Sequence, residues 1–153
     1  MSAILLSRRT LIHGAAASAA LVLVPVPVAQ AALAPDVADA VAALLAGRSP
    51  IEGGIDIAVP ALAENGAQVP VTLRIDSPMT EADHVAAIHL IATQNPTPGI
   101  GTFRLSPHLA RAEVFTRVRL AEGQQVLALA ELSDGRVLSA AVEVAVTTGG
   151  CAT

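Results

Sequence analysis

The chain has 153 residues, a formal net charge of −4, one cysteine, no tryptophan or tyrosine, and only arginine among its strong cations. An acidic surface argues against nucleic acid as a partner, and two phenylalanines as the only aromatic residues leave almost no stacking platform for bases or flat cofactors. The 53% hydrophobic content suggests a membrane protein until its distribution is read, because much of it lies in the first 31 residues.

Residues 1–31 have the layout of a secretory signal: Arg8 and Arg9, an uncharged apolar run, and a small-x-small cleavage site at Ala29-Gln30-Ala31. The paired arginines in "SRRTLI", with Ser7 before them and Leu11-Ile12 after, predict a twin-arginine export signal; an ordinary export signal that happens to hold two arginines is the rival reading. Pro25 and Pro27 interrupt the run and no polybasic stop follows it, so no stable membrane anchor is expected. The remainder, residues 32–153, is one domain's worth of chain. It carries seven arginines against thirteen acids, a net charge of −6.

"DVADAVAALLA" repeats apolar residues at helical spacing between Pro35 or Asp36 and Gly47, which predicts a short helix and then a linker to residue 50. From residue 51 the period changes. "IDIAVP" sets Ile55, Ile57 and Val59 on one side, and "VPVTLRID" sets Val69, Val71, Leu73 and Ile75 against Thr72, Arg74 and Asp76, with the turn signal "ENG" between them. Residues 80–95 fit two patterns. Thr80 followed by Asp83 resembles a helical capping box, whereas "HVAAIHLIA" fits an apolar strand; its strand-like neighbours favour the strand. "GTFRLSP", "RAEVFTRVRLA", "QVLALAELS" and "RVLSAAVEVAVT" follow as strands, the last two joined by the hairpin signal Asp134-Gly135. About seven short strands with frequent turns predict an all-β, immunoglobulin-like antiparallel β-sandwich over residues 51–146, with a short N-terminal helix before it and a flexible C-terminal arm, 147–153, after it.

The sandwich offers little catalytic chemistry. His84 and His89 stand five apart, on opposite faces of a strand, and with His108 read as surface or partly buried side chains; no metal site and no cofactor is expected. No serine occupies a nucleophile elbow and no glycine-rich loop precedes a helix. Arg104, Arg111, Arg117 and Arg119 fall on or beside adjacent strands, as a positive patch or as a salt-bridged exposed face.

Cys151 is another matter. A lone cysteine in an exported protein has no internal disulfide partner, so it is free, paired with another molecule or chemically loaded. It follows Gly149 and Gly150, which add no side-chain bulk, and residues 147–151 can extend on the order of 15 Å past the last strand. That describes a narrow thiol-bearing probe. No basic residue lies within ten positions before it, and the Thr153 carboxylate disfavours a thiolate, so activation is expected from a partner's site.

The ending "TTGGCAT" resembles the GGCGG ending of the SoxY family, the sulfur-carrier subunits of bacterial thiosulfate oxidation. The body, with "ENGAQVPV", "NPTPGI" and "TRVRLAEGQ", resembles that family over nearly all of residues 32–153. The resemblance implies a non-catalytic periplasmic carrier, not an enzyme, that pairs with a small β-sandwich subunit, SoxZ. It also implies that Cys151 holds the substrate covalently on an arm containing Gly149 and Gly150. Its implied transient partners are the cytochrome SoxAX, the hydrolase SoxB and a sulfane dehydrogenase. Ala152 and Thr153 depart from the family's terminal glycines and put the exact substrate and channel fit in question. The alternative is an exported β-sandwich interaction module whose Cys151 only forms an intermolecular disulfide.

Overall fold

In the computed structural model, the described residues are 33–147. They form one helix, α1 (Pro35–Leu45), and nine strands: β1 (Ile51–Glu52), β2 (Ile55–Ala58), β3 (Leu62–Ala63), β4 (Val69–Ile75), β5 (Val85–Ala92), β6 (Gly99–Arg104), β7 (Ala112–Val118), β8 (Gln124–Leu132) and β9 (Val137–Val146). Seven of the nine have four residues or more, which is the number read from the pattern; β1 and β3 are two-residue additions. A six-stranded sheet in the order β1-β9-β8-β5-β6, with β3 also on β9, faces a three-stranded sheet in the order β2-β4-β7. The sandwich is antiparallel apart from the two short pairings of β1 and β3, both parallel to β9.

The core follows from the period-two pattern. β4 buries Val69, Val71, Leu73 and Ile75 and turns Pro70 and Arg74 outward. These meet Ile88 and Leu90 of β5, Val126, Ala128 and Ala130 of β8, and Val144 of β9 from the opposite sheet. A layer of aliphatic side chains fills the space between the sheets, as a chain with so few aromatics requires.

The outer face of the larger sheet has a second, smaller core. Helix α1 presents Val37, Val41, Leu44 and Leu45 at spacings of three and four, and these pack on Ile91, Leu129 and Val137. Pro35 starts the helix; Ala46, in left-handed conformation, and Gly47, with φ 82°, end it.

Because α1 covers that face, β5 is buried on both sides from Ala87 to Ala92. A strand buried on both faces loses its alternation, which is why residues 80–95 also fitted a helix. Thr80 and Asp83 close a turn instead of capping a helix: the Asp83 amide donates to Thr80 Oγ1 at 3.1 Å, and the Thr80 amide donates to the Asp83 carbonyl at 2.9 Å.

Gly53 and Gly54, at φ 95° and 77°, carry the chain from β1 in one sheet to β2 in the other. Between β8 and β9, Gly135 sits at φ 88° and Asp134 Oδ1 accepts the Arg136 amide at 3.0 Å, so the hairpin signal forms the expected turn. The "ENG" signal builds a different object: Asn65 caps a single 3₁₀ turn, Gly66–Gln68, that leads into β4.

Candidate functional site

Cys151, Gly149 and Gly150 of the arm, and Arg8 and Arg9 of the leader, lie outside the described residues. The site is therefore built from what holds the arm's root. β9 pairs with β8 from Val137 to Val144 on one side. On the other, β1 pairs with its beginning and β3 with its end, where Leu62 stands opposite Ala145 and Ala63 opposite Val146. The Ala145 amide donates to the Ala61 carbonyl, and the Thr147 amide to the Ala63 carbonyl, each at 2.9 Å. Thr147 is thus fixed to the sandwich, and the four residues to Cys151 start from a defined point.

The loops beside that point are tied by a network the sequence reading did not foresee. Gln124 is buried; its Nε2 donates to Asn95 Oδ1 at 3.0 Å and to the Glu122 carbonyl at 3.1 Å, and its Oε1 accepts the Gln94 amide at 2.7 Å. Asn95 accepts the Ala121 amide at 2.9 Å and donates to the Arg119 carbonyl at 2.8 Å. Every polar atom of the two amides is used, so the loops before β6 and before β8 are held together. The available signal was "QNP", an amide side chain before a proline in a turn-rich segment. Leu62, 59% exposed, is the large apolar side chain left open next to the arm root.

The histidines do not meet. His84 lies just before β5, with Nδ1 3.0 Å from the Thr80 carbonyl. His89, on the outer face under the end of α1, is buried to 8% exposure; Nδ1 lies 2.9 Å from Thr102 Oγ1, and Nε2 has no hydrogen-bond partner. Nε2 stands 3.6 Å from Glu131 Oε1, which Arg48 already occupies at 2.7 Å. Arg48 also donates to the Leu44 and Leu45 carbonyls at the end of α1, each at 2.8 Å, fastening the helix to β8. The hydrogen bond from Arg48 holds the Glu131 carboxyl below its ordinary range; partial burial opposes this, and the charge of Arg48 assists it. His108 lies in the segment between β6 and β7, with its amide on Ser106 Oγ at 3.3 Å.

At the far end of the sandwich from Thr147, a groove of about 730 Å³ is lined by Asp56, Arg74, Asp76, Ser77, Arg111 and Glu113 among others, charges of both signs without histidine or cysteine. Among the described residues no three His, Cys, Asp or Glu side chains gather as a metal-holding group, and no helix is long and apolar enough to cross a membrane.

The described residues form a β-sandwich whose last strand is held at its end by β3. The family model described as sulfur oxidation protein SoxY matches residues 41–151. The solved structure of the sulfur carrier protein SoxY from Chlorobium limicola f thiosulfatophilum is 30% identical, with a TM-score of 0.61 over 73% of this chain and 96% of that one. The chain belongs to the SoxY family.

Superoxide reductases share the fold at much lower identity. One from Ignicoccus hospitalis has a TM-score of 0.55 at 17% identity, over 61% of this chain and 80% of that one. Another, from Nanoarchaeum equitans, has 0.51 at 11%, over 60% and 91%. No match was found among curated protein sequences.

Proposed function

We propose that the protein is a periplasmic covalent sulfur carrier of thiosulfate oxidation, with Cys151 as the attachment point and Gly149 and Gly150 as its arm. The observation that carries this reading is that the family match runs through the whole sandwich and ends on Cys151 itself. The braced arm root supports it, since a carrier must offer its cargo at a reproducible distance from a rigid body. The proposed organisation is a twin-arginine leader over 1–31 with Arg8 and Arg9, a helix and linker over 32–50, the sandwich over 51–146 and the arm over 147–153.

In the loading step, the Cys151 sulfur bonds to the outer sulfur of thiosulfate, the thiol proton is released, and two electrons pass to a SoxAX-type cytochrome. Water then cleaves the bond to the sulfonate at a SoxB-type hydrolase. Sulfate leaves and a persulfide stays on Cys151, for a sulfane dehydrogenase to oxidise. The catalytic groups belong to those partners, and a SoxZ-like β-sandwich completes the carrier. The thiolate needed for attack is generated in the partner's site, a reading supported by the lack of any basic residue in the ten positions before Cys151.

Intact-mass analysis of the protein isolated under thiosulfate, before and after reduction, is expected to show thiosulfonate and persulfide adducts that are absent from Cys151→Ser. Unmodified protein throughout, with normal sulfur oxidation in the Cys151→Ser strain, refutes the carrier role.

A further inference from the structure

Arg104, Arg111, Arg117 and Arg119 are all exposed, and none of them forms an ion pair among the described residues. Three of the four share a row. Ala112, Val114 and Val118 of β7 are buried, whereas Arg111, Glu113, Phe115, Arg117 and Arg119 are exposed, so these five follow one another at about 7 Å along one side of the strand.

Two of the nearby acids, Glu113 and Asp56, are taken up by another residue. Arg74 of β4 stands opposite Glu113 of β7 on one side and Asp56 of β2 on the other, with its guanidinium 3.0 Å from the Glu113 carboxylate and 4.0 Å from that of Asp56. Asp76, at the same end of β4, shares the groove with Arg111. Beyond that neutralised end the row continues as Phe115, Arg117 and Arg119. Phe115, one of two aromatic residues in the whole chain, is 67% exposed, and the chain around this cationic strip is acidic overall.

β7 is also an edge. It pairs with β4 alone, and seven residues of backbone are open on the other side. The competing edges are less suited: β2 has four residues, and β6 contains Gly99 and Gly101. Charged side chains on an edge commonly serve to prevent strand pairing. Along the β7 row itself Glu113 is paired and the unpaired charges are Arg111, Arg117 and Arg119, so the row repels a second copy of the same edge and attracts a strand of opposite charge. A lipid surface would use the arginines and Phe115 but not the open backbone; strand addition uses all three.

We infer that the free edge of β7 is the docking edge for an extended acidic segment of the partner sandwich subunit. That segment adds a strand to the three-stranded sheet, with carboxylates against Arg117 and Arg119 and an apolar side chain against Phe115. The inference rests on the reading of the protein as a carrier that pairs with a SoxZ-like subunit.

Its test is calorimetric titration of the purified full chain with the separately purified SoxZ-type subunit of the same genome. The variants are Phe115→Glu combined with Arg117→Glu, and Arg104→Glu on β6 of the other sheet as a control. The wild type is expected to bind more weakly as salt rises, the double variant to lose about a hundredfold in affinity, and the control to bind normally. Hydrogen exchange on the unmodified pair is expected to show new protection across residues 112–118. Wild-type binding with an unaffected double variant and no such protection overturns the docking edge and leaves the pairing intact. Absence of wild-type binding overturns both. Binding to phosphatidylglycerol vesicles with the same mutational sensitivity, without binding to the subunit, assigns the strip to lipid and overturns the inference.

Discussion

Arg48 and Glu131 meet at 2.7 Å across the junction between α1 and β8, and the same guanidinium donates to the last carbonyls of the helix. One side chain thus closes the helix and ties it to the sheet. With both partners partly exposed, solvent screening holds the pair to about 1 kcal/mol. Glu131→Gln is expected to lower the unfolding free energy by that amount at neutral pH. The sign of the pH dependence follows from the carboxyl being depressed in the folded state. Its contribution is present above the unfolded glutamate range and fades as pH falls through the folded value. Denaturant curves of the two proteins should therefore converge under acid; a gap that widens there contradicts the assignment.

His89 gives the opposite kind of prediction. Its buried Nε2 has no hydrogen-bond partner and stands 3.6 Å from a Glu131 carboxylate that Arg48 already holds, and its one hydrogen bond is to Thr102, which is exposed and can turn to water. Removing a half-satisfied group in favour of an apolar one of similar size is close to neutral. His89→Leu is expected to stay within about 1 kcal/mol of wild type. A loss well beyond that would show that the ring holds something more than Thr102.

The sheet-crossing glycines separate conformational strain from collision. Both have positive φ, so alanine is strained at either, but a Cβ at Gly53 meets open space while one at Gly54 comes within 2.9 Å of Leu138 Cδ1. Gly53→Ala is expected to cost about 1 kcal/mol and Gly54→Ala more, by thermal unfolding. Equal costs would mean that Leu138 yields freely.

Leu73 lies fully buried at the centre of β4, in the core between the two sheets. Leu73→Ala is expected to cost about 2–5 kcal/mol, followed by far-ultraviolet circular dichroism because the chain has no tryptophan or tyrosine. A loss below that range would indicate that the sheets close over the gap.

β4 and β7 were legible because one face of each meets the core and the other meets water, so both keep alternation. The start and stop of α1 were written in Pro35 and Gly47. β5 was ambiguous because α1 removes its wet face, a tertiary fact with no local trace. β1 and β3 are too short to carry a period and exist through pairing with β9, some 85 residues away. At the arm, the lone thiol and its glycines were plain in the sequence, whereas the bracing by Ala61, Ala63 and the Gln124–Asn95 network needs partners that only folding brings together.

β9 is held by β8 as far as Val144, by β1 near its start and by β3 at Ala145 and Val146. Its ladder bonds run across the strand, so a tug on the chain beyond Thr147 along the strand axis loads them together in shear. In the proposed carrier, an enzyme that draws the tip into a channel therefore pulls against the β9 ladder as a whole, and a channel deeper than the arm must bring its own rim up to the body of the protein.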